Sequence, residues 1–283
     1  MTANALRWDG RPGHFEVWYL VVAGLLWLRY TIRVPSDPDA EGEAELWLAS
    51  FAGPPSARKA TFPLDALRVP AQGWPLELGP GRLGNDEASG EIDSARWDLR
   101  LEGAAQPFWH APAVARALRV SPTQVVLTKP SLAVTGRVEV DGGRHELVAA
   151  PACQAHLWGS RHADRWGWLH ATLPDGRWVE AVTVKLRGLP PLAFHATERG
   201  RGGPLDLVRT PADLAPGHLR LGPYRVEASR DDFVGVTYRD PDGAEVYCYH
   251  TERARLDGPG VAAEDVAFEY GSREKLRGWP LSL

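Results

Sequence analysis

Cysteine is scarce: Cys153 and Cys248 are the only two in 283 residues. They have no CxxC spacing and no histidine at zinc-finger distance, which excludes a structural zinc module. They are read as two buried free thiols, and the sequence leaves a pairing between them open. Excess basic charge is also missing. The chain has 32 Lys and Arg against 36 Asp and Glu, a formal charge of −4, so it has no field for gripping nucleic acid. Long apolar runs are absent too. The longest, Val17 to Leu28, lies between Glu16 and Arg29 and is too short to cross a bilayer. Acidic residues precede it and no small-x-small site follows, which does not suit a signal peptide. It is read as a buried strand pair in a soluble, cytoplasmic chain with no integral membrane segment. Internal repeats are lacking. With 29 Gly and 24 Pro, many turns are expected and a helical bundle is excluded. At 44% hydrophobic and 24% charged residues, the chain is not intrinsically disordered.

What is plentiful is tryptophan: 12, against 7 Tyr and 7 Phe. Strand signals also dominate. Phe15 to Leu20, Leu25 to Val34 and Glu45 to Phe51 are rich in β-branched and aromatic residues. Further strands are read at Arg96 to Glu102, Val125 to Lys129, Ala133 to Val140, Trp178 to Arg187, Leu219 to Ser229, Phe233 to Arg239 and Ala244 to His250. Asp141-Gly142-Gly143, Pro174-Asp175-Gly176 and Asp240-Pro241-Asp242-Gly243 are turns between strands. Gly188 to Pro191 and Gly200 to Pro204 read as loops, and Phe108 to Leu118 is the one helical stretch expected in the first half. Short strands joined by turns imply a barrel or sandwich. The set is too large for one eight-stranded barrel. It predicts an all-β chain of two consecutive antiparallel β-barrel domains, residues 1–147 and 148–283.

The densest segment runs from Gln154 to Ala171 and holds His156, His162 and His170 with Trp158, Trp166 and Trp168. Alternate residues of a strand share a face. His156 therefore shares a face with Trp158, and Trp166 and Trp168 share one with His170. If the strands around them form a hairpin, an aromatic wall with two imidazoles results. Barrels of this size commonly hold one small ligand, so the wall is read as lining an apolar cavity. The spacing of the three histidines fits no zinc pattern, and no metal is expected. Gly200-Arg201-Gly202-Gly203 lacks the lysine of a phosphate loop. No Gly-x-Ser-x-Gly elbow is present.

The string His156-Leu157-Trp158-Gly159 resembles the His-x-Trp-Gly signature of a lipocalin-like (calycin) family. That family includes carotenoid 1,2-hydratase (hydroxyneurosporene synthase), tocopherol cyclase-like, AttH-type and Diels–Alder cyclase proteins. Gly13-His14-Phe15-Glu16-Val17-Trp18-Tyr19 resembles its Gly-x-x-Glu-x-Trp-Tyr motif. Weaker likenesses are Trp97-Asp98-Leu99, Val134 to Gly142, Tyr238 to Gly243 and Ala254-Arg255-Leu256. The resemblance implies two consecutive lipocalin-like barrels, a ligand cleft, and chemistry on hydrophobic isoprenoid, carotenoid or polyketide-like molecules without metal or redox cofactor. Hydratase-like members carry Asp-His-Asn-Trp-Gly where this chain has Ala155-His156-Leu157-Trp158-Gly159. A proton donor is therefore expected from elsewhere.

Protonating an alkene needs a carboxylic acid kept neutral by burial, or an imidazolium. His156, Glu16, His170 and Asp164 are the candidate catalytic groups. Trp18, Trp158, Trp166, Trp168 and Glu180 are the candidate ligand-binding residues, the indoles shielding a cation by cation–π attraction. The leading expectation is a cofactor-independent lyase, isomerase or cyclase for a hydrophobic small molecule. The alternative is a non-catalytic carrier for such a ligand.

Overall fold

The structure is a computed structural model and describes residues 3–71, 73–103, 106–117, 121–207, 214–215, 218–221 and 224–283. The strands of the first half are β1 (His14–Val22), β2 (Leu26–Val34), β3 (Glu43–Ser50), β4 (Ser56–Pro63), β5 (Leu67–Arg68), β6 (Leu76–Leu78), β7 (Gly81–Leu83), β8 (Glu87–Ile92), β9 (Ala95–Glu102) and β10 (Phe108–Trp109). A short helix, α1 (Ala113–Ala117), leads to two long strands, β11 (Thr123–Val140) and β12 (Gly143–Gly159). All twelve form one antiparallel sheet in the order β4-β3-β2-β1-β12-β11-β9-β8-β7-β6-β5, with β10 on β11. The sheet curls into a nearly closed barrel.

The second half holds β13 (Arg165–Thr172), β14 (Trp178–Lys185), β15 (Leu192–Thr197), β16 (Gly200–Leu207), β17 (Leu214–Ala215), β18 (His218–Leu221), β19 (Tyr224–Glu227), β20 (Val234–Arg239), β21 (Glu245–Gly258) and β22 (Val261–Ser272). They form a second curled sheet, ordered β16-β15-β14-β13-β22-β21-β19-β18-β17, with β20 on β21. The chain is thus all-β, with two consecutive curled antiparallel sheets.

Period-two alternation decides where each side chain goes. On β1, Trp18, Leu20 and Val22 fill the first barrel, where they meet Leu28, Tyr30 and Leu46. The odd positions Phe15, Val17, Tyr19 and Val21 point the other way, into a layer shared with the second sheet. Trp27 and Trp47 join that layer from β2 and β3, and Trp166, Trp168, Trp178 and Val236 join it from the second half. Leu169, Ala181, Tyr249 and Phe268 fill the second curl. Strands in the middle are therefore buried on both faces, which explains the unbroken apolar run Val17–Leu28.

Five expectations change. The strands carrying His156 and Trp166 form no hairpin: β12 pairs with β1 and β11, whereas β13 pairs with β14 and β22. β12 also runs through residue 148 and stays in the first sheet to Gly159, and the chain reaches the second sheet at Arg165. The stretch expected as a helix gives β10 and the five-residue α1, and Leu118 lies outside the described residues. Gly200 to Pro204 belongs to β16. The strand expected at Leu219 to Ser229 appears as β18 and β19, and residues 222–223 lie outside the described residues. Cys153 and Cys248 are both free and buried.

Candidate functional site

A cleft of about 360 Å³ opens between the two sheets. Phe15 and Val17 of β1 and Arg29 and Thr31 of β2 form one wall, and His162 and Tyr238 face them from the second half. Arg33 pairs with Glu43 at 2.7 Å, and Lys59 with Glu45 at 3.0 Å; all four also line the cleft.

His162 sits in the turn between β12 and β13, stacked on Phe15 at 4.3 Å and on Trp166 at 5.4 Å. Its Nδ1 lies 2.6 Å from Asp240 Oδ1, and its backbone N–H donates to the same carboxylate. Asp240 is fully buried. Burial pushes its pKa up, but the hydrogen bond from His162 and the charge of Arg273 hold it below the usual aspartate value. An ionised Asp240 accepts from Nδ1–H, and this fixes which ring nitrogen is left over. Among the described residues no protein group engages Nε2. The ring is therefore held, oriented and able to exchange a proton with a molecule in the cleft.

Tyr238 stands on the same wall, its ring nearly parallel to that of His162 with centroids 6.2 Å apart. Its hydroxyl accepts from Arg29 Nη1 at 2.5 Å and lies 3.3 Å from His250 Nε2. Burial raises the Tyr238 pKa well above its ordinary value, although Arg29 opposes this, so the phenol stays protonated. Burial lowers the His250 pKa. His250 Nδ1 faces Glu269 Oε2 at 3.1 Å. Burial would raise the Glu269 pKa, but His250, Arg29 and the Trp166 indole bring it down to about 2.

None of the nine residues singled out in the sequence lines this cleft, because the alternation sends them elsewhere. Glu16, Trp18, His156 and Trp158 all face the interior side of the first sheet. There the Trp18 and His156 rings stack at 4.8 Å. Glu16 is fully buried and accepts from the backbone of Arg7 and Trp8 and from His14, and it lies 2.7 Å from His156 Nε2. His156 Nδ1 donates to the Ala3 carbonyl at 2.8 Å. Together they strap residues 3–8 across one end of the first barrel. Trp158 lies under the Arg7 guanidinium at 4.8 Å.

Trp166, Trp168, His170 and Glu180 do face the shared layer, as the alternation predicts. There the rings pack against one another. Trp168 lies 5.3 Å from Trp27 and 6.0 Å from Tyr19. Glu180 is fully buried; it accepts from the Trp168 indole and contacts His170 and His110 at 2.7 and 2.6 Å. Burial opposes a charge on His170, but Cys153 and Glu180 beside it raise its pKa well above the ordinary value. Asp164 is half-buried in the β12–β13 turn, 3.8 Å from both Arg161 and Arg273.

His162, Asp240, Tyr238, Arg29, His250 and Glu269 were not singled out from the sequence. His162 lies in the dense aromatic segment, and in the structure its side chain is only 12% exposed. Asp240 read only as part of a turn, although Tyr238 to Gly243 carried a likeness to the family. Among the described residues, no group of three His, Cys, Asp or Glu side chains is placed to hold a metal ion, and no helix is long and apolar enough to cross a membrane.

Comparisons with known proteins follow from this architecture. No family model matches the chain. It is 30% identical to two uncharacterized proteins of Mycobacterium tuberculosis, MT0513 of strain CDC 1551 / Oshkosh and Rv0493c of strain ATCC 25618 / H37Rv, over 94% of this chain and 84% of theirs. Among solved structures, an AttH-type protein from Nitrosomonas europaea superposes with a TM-score of 0.57 at 14% identity, over 95% of this chain and 97% of that one. Kievitone hydratase from Nectria haematococca superposes with a TM-score of 0.53 at 10% identity, over 93% and 91%. At these identities the likeness is one of fold.

Proposed function

The chain belongs to one family with the Mycobacterium tuberculosis proteins MT0513 and Rv0493c, and from that premise and the cleft geometry we propose that it is a cofactor-independent lyase or isomerase. Its substrate is a small molecule with an apolar skeleton, seated between the two sheets. One observation carries this reading: Asp240 holds Nδ1 of a cleft-lining imidazole, whose Nε2 has no partner among the described residues, at a cleft large enough for such a molecule. Beside it on the same wall, Tyr238 supplies a protonated phenol backed by His250. An oriented acid–base group beside a second polar hydrogen is what proton shifts and water addition or elimination require. The fold shared with kievitone hydratase supports a reaction of that kind. The nine residues first singled out hold the frame around this site in the proposal, and His162 moves the proton.

The test is a panel of apolar alkenes and unsaturated ketones incubated with the protein in deuterated water and followed by NMR. Deuterium incorporation at carbon, or addition of water, is expected with the native chain. His162→Gln should lower it by about 10²-fold or more while leaving ligand affinity within about threefold. Ligands that bind the native chain and His162→Gln alike, with no exchange in either, would instead identify a carrier.

A further inference from the structure

Arg29 is an unusual group for the floor of a cleft. It is only 3% exposed, yet among the described residues no carboxylate forms a hydrogen bond with it. The nearest, Glu269, stands 4.0 Å from Nη1, beyond hydrogen-bond reach, and already accepts from the Trp166 indole. Nη1 donates to the Tyr238 hydroxyl. The guanidinium carbon lies over the Trp47 ring at 4.7 Å and over the Tyr238 ring at 4.3 Å, which fixes its plane. Nε is buried and has no acceptor, and none of the described residues takes Nη2. Nε and Nη2 share one edge of the guanidinium. That edge is the fork that holds two oxygens at once.

Glu269 balances the charge of Arg29 from 4.0 Å, but the other charged groups of the cleft are engaged elsewhere or exposed and leave its Nε and Nη2 donors unmet. Arg33 and Lys59 are matched by Glu43 and Glu45. Glu245 takes the Tyr247 hydroxyl at 2.6 Å. Arg239 also lines the cleft and is exposed. A buried cation with unmet donors is costly, and an anionic acceptor relieves that cost.

We infer that Arg29 and Tyr238 form an oxyanion-binding floor, so the ligand of this cleft carries or develops negative charge on oxygen at one end of a skeleton that is otherwise apolar. This deepens the acid–base reading of the same cleft and rests on it. Phe15 and Val17 offer the skeleton an apolar wall. His162 sits on the opposite wall from the fork. The substrates that fit are carboxylates, phenols and enolisable carbonyl compounds, in which the oxygen binds the floor and the reacting carbon faces the imidazole.

Two fluorescent probes that differ only by a sulfonate separate the possibilities: anionic 1-anilinonaphthalene-8-sulfonate and neutral N-phenyl-1-naphthylamine. Both are titrated into the native chain, Arg29→Gln, Arg29→Lys and Thr237→Trp, which fills the cleft from its second-sheet wall. The native chain is expected to bind the anion about tenfold more tightly than the neutral probe. Arg29→Gln should bring the two affinities together, and Thr237→Trp should weaken both. Arg29→Lys keeps the charge without the fork and should retain part of the preference, which covers the case in which Arg29→Gln does not fold. If both probes bind in the cleft with equal affinity, or the preference survives Arg29→Gln or is wholly lost in Arg29→Lys, the oxyanion floor is wrong while the cleft remains a binding site. If Thr237→Trp changes neither affinity, the cleft is not the binding site and both readings fall.

Discussion

Histidine–carboxylate contacts govern the residue scale, among them His156 with Glu16, His170 with Glu180, His162 with Asp240 and His250 with Glu269. Of these, only His162 lines the cleft, and His250 touches it through Tyr238. Their protonation sets how stability depends on pH. Glu269 has a folded pKa of about 2 against an ordinary 4.5. It therefore adds stability above pH 4.5, on the order of 3 kcal/mol, which is lost as pH falls towards 2. His170 has a raised pKa. Its contribution is complete below its ordinary value of 6.5 and fades as pH rises through the folded value. Urea midpoints should therefore be highest between about pH 4.5 and 6.5 and decline on both sides. His170→Gln should flatten the alkaline decline and Glu269→Gln the acid one. A profile unchanged by either variant would show that these groups do not control stability.

At the scale of elements, glycine lets neighbouring strands carry large rings. Gly271 on β22 pairs with Trp166 on β13, and a Cβ placed at Gly271 would stand 2.1 Å from the Trp166 ring. Gly271→Ala should cost about 1–3 kcal/mol by overpacking. It should also pull the indole away from Glu269, readable as a shift in Trp emission and a lower urea midpoint. Much of this scale was legible in the sequence. The run Phe15 to Leu20, the alternation of Trp166, Trp168 and His170, and the turns at Asp141 and Pro174 all predicted what is seen. The partner of β12 was not legible. Gln154–Trp158 and Arg165–Leu173 are adjacent and both rich in aromatics, so a hairpin was the local solution. The long-range pairing of β12 with β1 across some 140 residues outweighs it, and no local propensity encodes such a pairing. That one error set His156 and Trp166 on the same imagined wall when they lie on opposite faces of the first sheet.

Over the whole molecule, the layer between the sheets joins the two halves more tightly than a linker would. Trp27 touches Tyr19 within the first sheet and Trp168 and His250 of the second. Trp27→Ala should cost about 3–5 kcal/mol, and the loss should lower the stability of both halves together. Far-UV circular dichroism and Trp fluorescence should follow one coincident transition in urea, in the native chain and in the variant. Two separated transitions would show that the halves unfold independently. The cleft itself could not be read from the sequence, because it forms where two sheets meet. Arg29, His162 and Tyr238 come together only after both curls have folded, and their sequence neighbours give no sign of it.

The shared indole layer also has a consequence for any attempt to divide the chain. A cut in the turn at 160–164 yields two pieces, and each would bare a raw oily flank that water rejects. Alone they should precipitate. Mixed as they refold, they should seek each other out, because each supplies the cover that the other has lost.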